Sequence, residues 1–346
     1  MKQKRTLLMG RSFHIGTCAI GIGKPTFIIA EAGINHNGDS ELAFLMIDKA
    51  AQAGADAVKF QTYKTEDLVA KGNPYYEIFR GAEISEIGIL QELKSHAKKK
   101  GILFFSSAST ESGLDILQSL SVPLVKLSSA NLTNLPLLAR VAKMKVPVII
   151  SSGAATLAEV LRGVEFLQEH GAHDIAVLKC TAIYPCPPEH ANLGGIKTLM
   201  GSFDGPVGFS DHTEGPFAAA AAVALGACVV EKHFTLDKSM EGHDHHFSCN
   251  PTELTELVNA IRSIEKMKGS SRIEPVGEEI EFRAIGRRSV TAIRDIAANE
   301  TIDSSMVTPR RPKDGPGIES EHIEIVIGRP AKQFISQGCS IKWADI

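Results

Sequence analysis

Eight short apolar runs recur between Phe27 and His233, and amphipathic stretches separate them. The runs are Phe27–Ala32, Ala57–Gln61, Ile102–Ser107, Leu124–Leu127, Val148–Ser151, Ile175–Lys179, Val207–Ser210 and Val229–His233. Stretches such as Ser40–Ala53, Ile89–Lys100, Glu111–Leu120, Leu135–Lys143, Leu157–Glu169 and Gly215–Leu225 carry helical periodicity. Strands alternating with helices predict a parallel sheet. Eight is the number that closes a (β/α)8 TIM barrel, whose usual size is about 250 residues. After the eighth run, Asn250-Pro251-Thr252-Glu253 reads as a helix start, with Asn250 as cap and Glu253 at the third position. An open doubly wound sheet is the alternative. Against it, Glu31-Ala-Gly-Ile-Asn-His-Asn-Gly38 after the first run is no dinucleotide fingerprint, and no phosphate-binding loop is present.

The pattern defines a barrel over residues 1–268, a polar linker over 269–285 and a smaller, mostly β domain over 286–346. In the last part Ile296, Ile302 and Val307 match Ile335, Ile341 and Ile346 in spacing, which suggests two related halves. A net charge of −3 over 346 residues gives no broad basic surface, so nucleic acid is not the expected partner. Met1–Arg11 is basic, but no long apolar run follows it. No segment reaches the roughly 18 apolar residues of a membrane helix. The six scattered cysteines form no CxxC pair and suit a reducing cytoplasm.

In a (β/α)8 barrel the active site lies at the C-terminal ends of the strands. Here those ends carry polar residues at every run: Glu31, Lys59 and Gln61, Ser106 and Ser107, Lys126 and Ser129, Ser151, Lys179, Ser210 and His212, Glu231 and His233. Packing alone does not require polar groups at one end of eight strands, so the distribution points to an enzyme. Lys59 and Lys126, with the serines nearby, suit a phosphate or carboxylate; solvated strand ends are the bland alternative. His212 and His233 end adjacent strands and are candidate ligands of a divalent ion, or one catalytic and one structural histidine. Glu31 and Asp244 are the carboxylates available for acid–base work, or else cap and salt-bridge residues. The dense Gly242-His-Asp-His-His246 is either a second metal cluster or a polar loop.

Six segments carry a resemblance: Phe27-Ile-Ile-Ala-Glu-Ala-Gly-Ile-Asn-His-Asn-Gly38, Lys59-Phe-Gln-Thr62, Lys126-Leu-Ser-Ser129, Cys180-Thr-Ala-Ile-Tyr-Pro185, Ser210-Asp-His-Thr213 and Glu231-Lys-His-Phe-Thr235. In this order they resemble the sialic acid (N-acetylneuraminate) synthases, and the tail resembles the antifreeze-like (SAF) domain that follows the barrel in that family. The resemblance implies condensation of phosphoenolpyruvate with an N-acetylmannosamine-type sugar. The product is a nine-carbon 2-keto-3-deoxy acid, and phosphate is released by C–O cleavage. It implies Mn2+ or Mg2+ on His212 and His233. It puts phosphoenolpyruvate on Lys59, Ser107, Lys126, Ser129 and Ser210, with Gln61 nearby. It gives Glu31, Tyr184, Glu231 and Asp244 to positioning and proton transfer. It also implies a homodimer with exchanged tails, Arg311 reaching the neighbouring subunit's site.

Three departures leave the sugar open: Ala182 replaces a sugar-contacting asparagine, Gly242-His-Asp-His245 replaces Gly-Pro-Asp-His, and Ser107 stands for threonine. N-acetylmannosamine and precursors of legionaminic acid, pseudaminic acid or a spore-coat sugar all remain. A pyruvate-dependent aldolase or lyase with a Schiff base on Lys126 or Lys179, and a non-catalytic carbohydrate-binding or ice-binding protein, are the competing readings.

Overall fold

A computed structural model describes residues 12–346; the basic stretch Met1–Arg11 lies outside the described residues. The strands are β1 (Phe13–Ile15), β2 (Cys18–Ile20), β3 (Phe27–Gly33), β4 (Ala57–Thr62), β5 (Leu103–Ala108), β6 (Val125–Leu127), β7 (Val148–Ser151), β8 (Ile175–Cys180), β9 (Val207–Asp211), β10 (Val229–His233), β11 (Ser289–Ala292) and β12 (Val307–Arg310). The helices are α1 (Ser40–Gln52), α2 (Thr65–Leu68), α3 (Tyr76–Gly81), α4 (Ile87–Lys100), α5 (Glu111–Ser119), α6 (Leu135–Lys143), α7 (Leu157–Glu169), α8 (Gly194–Ser202), α9 (Phe217–Ala224), α10 (Pro251–Lys268), α11 (Glu279–Gly286) and α12 (Ile323–Val326). The chain divides into two compact units, one ending at Gly269 and one spanning Ser270–Ile346.

In the first unit β3 to β10 pair in parallel, and β10 returns to β3 to close an eight-stranded barrel. Side chains alternate between the two faces of a strand, and this splits the barrel into two apolar clusters. Outward residues such as Ile28, Val58, Phe104, Val125, Ile150, Val177, Phe209 and Val230 pack with helix residues including Met46, Leu93, Leu117 and Leu257. Inward residues at the N-terminal ends, Phe27, Ile29, Ala57, Phe105, Leu124, Ile149, Ala176 and Val229, form the second cluster. Phe13, Ile15 and Ile20 of the β1–β2 hairpin join that inner cluster. The hairpin therefore plugs the end of the barrel opposite the strand C-termini. The sequence reading did not find it, because two three-residue strands carry too little period to stand out.

The boundaries of α10 follow the sequence reading closely. Asn250 Oδ1 accepts from the Glu253 N–H at 2.9 Å, the Glu253 carboxylate accepts from the Asn250 N–H at 2.9 Å, and Pro251 sits at the first position. Leu254, Leu257 and Ile261 form the buried stripe, with Val258 beside them.

In the second unit β11 and β12 pair antiparallel. Ile296 and Ile335 exchange backbone hydrogen bonds, each N–H to the other's carbonyl at 2.9 Å. All six residues of the faint repeat lie in this unit's core, with Val290, Ile318 and Val326. The stretch read as linker differs in one respect: its second half begins α11, which buries no side chain. Glu279 and Glu281 in its first turn and Arg283 in its last complement the helix dipole, so local terms favour it without a packed face. Ile280, Phe282 and Ile285 of α11 are exposed. Among the described residues no helix is long and apolar enough to cross a membrane.

Asn250→Ala removes the side-chain half of the α10 capping box. The expected cost is about 1 kcal/mol of barrel stability, read as a lower urea midpoint with unchanged slope.

Candidate functional site

The alternation that puts Phe27, Ile29 and Phe105 inside the barrel puts Glu31, Lys59, Gln61, Ser107, Lys126, Ser151, Cys180, Ser210, Glu231 and His233 on the same face, nearer the C-terminal ends. All but Gln61 are buried. They form a connected charge network. Lys59 Nζ lies 2.8 Å from Glu31 Oε2 and 3.6 Å from Glu231 Oε2. Lys126 Nζ lies 3.6 Å from Glu231 Oε1 and donates to Ser151 Oγ at 2.7 Å. Ser210 Oγ donates to Glu231 Oε1 at 3.1 Å, and Gln61 Nε2 to Glu31 Oε1 at 3.1 Å.

Burial opposes every charge here, and the neighbours decide which survive. Burial pushes the Glu31 carboxyl up to about 7, Lys59 opposing and Glu231 reinforcing the shift. Burial would also raise Glu231, but Lys126 and Lys59 outweigh it and hold its pKa below the usual value. Burial would lower Lys59, but Glu231 and Glu31 keep it above an ordinary lysine. Lys126 keeps less support, and burial leaves its pKa below the ordinary value. Glu31 and Glu231 thus differ in their hold on a proton although both are buried.

The register bulge after Glu31 turns the chain out of β3 at Gly33, whose φ is +56°. A Cβ there would come within 3.4 Å of both Gln61 Nε2 and Glu31 Oε1 and would occupy a backbone region that disfavours side chains.

Beside the network, the His212 and His233 rings lie 5.4 Å apart, centre to centre. His212 Nδ1 donates to the Thr181 carbonyl at 2.7 Å, which leaves Nε2 with the lone pair. Burial works against a His212 imidazolium, but the Cys180 sulfur and Thr181 carbonyl around Nδ1 raise its pKa. Burial and the neighbouring His212 hold the His233 pKa well below the usual value, so that ring is neutral. His233 Nδ1 is buried without a hydrogen-bond partner; Asp244 Oδ2 is 3.6 Å away. The Tyr184 ring lies tilted against His212, 4.1 Å between centres, and Phe247 packs 5.1 Å from His233. A neutral imidazole with an orphaned buried nitrogen, near a second ring with a free nitrogen, is a donor set that fits a divalent ion.

Ser107 Oγ is 3.5 Å from the Phe60 carbonyl, which leaves its hydroxyl weakly engaged. Ser129 Oγ accepts from the Gly153 N–H at 2.8 Å and lies 3.6 Å from Cys180 Sγ. Arg311 follows β12 in the second unit, exposed, with Nε donating to the Gly286 carbonyl at 2.9 Å. The histidine-rich loop divides its labour: His245 is fully buried against Thr235 Oγ1 at 2.6 Å, whereas His243 is exposed and pairs with Asp244 at 2.9 Å. Lys179 faces outward, pinned by Thr181 Oγ1 and the Ala191 carbonyl, away from the network. The sequence marks Ser151 only as a polar strand end and Cys180 as a cysteine that could face the site without a nucleophile's role; strand parity places both inside. Phe247 carried no signal, because it reaches the site from a loop.

The NeuB family profile matches residues 46–273, and the SAF domain profile matches 287–346. The chain belongs to the NeuB family. It is 38% identical over 346 residues to N,N'-diacetyllegionaminic acid synthase of Legionella pneumophila, covering 94% of this chain and 96% of that protein. It is 36% identical to N-acetylneuraminate-9-phosphate synthase of Mus musculus, with 84% of each covered. The crystal structure of N-acetylneuraminic acid (sialic acid) synthetase from Leptospira borgpetersenii, a citrate complex, superposes with a TM-score of 0.76 at 36% identity, over 80% of this chain and 97% of that one. This NeuB-family chain therefore combines a closed TIM barrel with a C-terminal SAF domain, and its relatives are sialic and legionaminic acid synthases.

The raised Glu31 pKa has a stability consequence. A carboxyl with its folded pKa above its unfolded one stabilises fully below the unfolded value of about 4.3. That stability is lost as pH rises through about 7. Glu31→Gln removes this dependence. The melting temperature of the variant relative to the parent is expected to rise between about pH 5 and 7 and to level off above that; a constant difference from about pH 5 to 7 would contradict it.

Proposed function

We propose that the protein condenses phosphoenolpyruvate with an N-acetylated hexosamine of the mannosamine type, giving a nine-carbon 2-keto-3-deoxy acid and phosphate. The observation that carries this reading is the interior charge network at the strand C-termini, with two imidazoles beside it. Lys59 and Lys126 bind the donor's negative charge, and Ser107, Ser129, Ser151 and Ser210 supply hydroxyl hydrogen bonds. Positioning the donor there turns a bimolecular attack into an oriented one. The enol carbon forms the new bond to the sugar's C1 carbonyl carbon. Water then adds to the carbon that bore the phosphate ester in phosphoenolpyruvate, and phosphate leaves with its bridging oxygen.

His212 and His233 are the residues that would hold Mn2+ or Mg2+. When bound, the ion supplies Lewis acidity to the aldehyde oxygen. Glu31, with its affinity for a proton near neutrality, serves as the acid–base group for the water step. Asp244, Tyr184 and Gln61 orient the sugar and water, while Glu231 holds the two lysines in place.

A cavity of about 610 Å3 opens between the loops after β7 and β8, with Ala154, Ala182 and Ile183 in its wall. Ala154, Ala155 and Ala182, in the wall with Ser152 and Cys180, leave room for a bulky sugar substituent. The exposed apolar residues Ile280, Phe282 and Ile285 of α11 support a homodimer in which Arg311 of one copy serves the site of the other.

The competing reading is a pyruvate Schiff base. It would form on Lys126, whose ammonium burial weakens. Borohydride with pyruvate is expected to trap no adduct. Phosphate release from phosphoenolpyruvate with Mn2+ and a panel of N-acetylated hexosamines is the direct test, and silence across the panel would refute the synthase reading. His212→Ala and His233→Ala are each expected to lower turnover by at least about 100-fold, as loss of a metal ligand or its support does. Arg311→Ala mixed with His212→Ala is expected to recover part of the activity that neither variant shows alone, through mixed dimers carrying one intact site.

A further inference from the structure

At the C-terminal ends of β9 and β10 the residues that face away from the barrel interior are also charged. Asp211 and Lys232 are cross-strand partners and are wholly removed from solvent. Lys232 Nζ lies 2.8 Å from Asp211 Oδ2 and also donates to the Thr213 carbonyl. Asp211 Oδ1 accepts from both the N–H and the hydroxyl of Thr213, each at 2.8 Å. Every polar group of Thr213 is thereby occupied by the pair.

We propose that Asp211, Lys232 and Thr213 form a clamp that sets the separation of His212 and His233, and so act as positioning residues for the divalent cation. The inference rests on the metal reading given above. Its support is where the clamp grips. Asp211 and Thr213 immediately flank His212, and Lys232 immediately precedes His233. The ion pair ties one strand end to the other at the level of the two rings. From the other side, the Cys186 N–H donates to the His212 carbonyl at 2.8 Å, and the Thr181 carbonyl fixes Nδ1. His212 is thus held through its neighbours, its own backbone and its ring.

Stability alone is a weak reason for such a pair. Replacing a buried ion pair by well-packed apolar residues is commonly neutral or favourable, whereas removing one partner is costly. Outward positions lower on other strands, such as Val58, Phe104 and Ile150, are apolar and pack without charge. Lys179 of β8 is an outward charge too, but it is held by Thr181 and Ala191 rather than by a carboxylate on the next strand. What an apolar pair lacks is direction: it cannot bond the Thr213 carbonyl, hydroxyl and N–H together.

The test uses the full chain and Mn2+, with affinity measured by electron paramagnetic resonance. Asp211→Leu with Lys232→Met is expected to keep the parental melting temperature and to weaken Mn2+ binding by about 10- to 100-fold, the usual effect of losing support around metal ligands. Phosphoenolpyruvate affinity without metal is expected to stay unchanged. Thr213→Val keeps both charges, so it reports even if the double variant fails to fold; a loss of at least about threefold in Mn2+ affinity is expected. Parental Mn2+ affinity in Thr213→Val or in a folded double variant overturns the clamp. So does an equal loss of Mn2+ and phosphoenolpyruvate affinity, which would mean general loosening. His212→Ala separates the two levels: if it binds Mn2+ as well as the parent, or if the parent binds none, the metal reading itself fails.

Discussion

A closed parallel barrel turns every second side chain of each strand inward, and leaves no route for water through its packed end. Any charge placed in the upper layer must therefore find its counter-charge on another strand, beside it or across the barrel. Glu31, Lys59, Lys126 and Glu231 meet that constraint with two charges of each sign. They come from β3, β4, β6 and β10, so the network exists only when the sheet has closed and its registers are right. Fold and site are the same constraint seen at two depths of the barrel: apolar below, ionic above.

The hairpin at the closed end belongs to this logic. Without Phe13, Ile15 and Ile20, the inner cluster of Phe27, Phe105 and Leu124 would face water from below. The dielectric above it would rise, and the burial that lifts Glu31 and lowers Lys126 would weaken. A segment far from the reacting end thus helps set the electrostatics of the mouth.

Much of this was legible because it rests on period. The eight runs, their alternation with helices and the α10 start each depend on residue spacing over four or more positions. The faint repeat in the tail was legible for the same reason, and Ile296 and Ile335 do pair. What escaped depends on contacts between segments far apart in sequence. Phe247 beside His233, the division of His243 and His245 between surface and core, and the Thr181 carbonyl on His212 Nδ1 are set by loops. No local pattern encodes the end point of a loop.

Lysine shows where the sequence held more than was read from it. Lys59, Lys126, Lys179 and Lys232 all lie within barrel strands, and residue type alone cannot rank them. Parity can. Lys59 shares its strand face with Ala57 and Lys126 with Leu124, both of the inner cluster. Lys179 shares its face with Val177 and Lys232 with Val230, both of the outer one. Two lysines are thus free to meet an anion inside the barrel, and two are committed to holding the wall. Counting by twos from the apolar residues removes Lys179 from the Schiff-base candidates on sequence alone. The same count assigns Asp211 to the wall with Lys232, while Ser210 and Glu231, one residue away on each strand, face the site. A single step along a strand separates the groups that bind from the groups that hold.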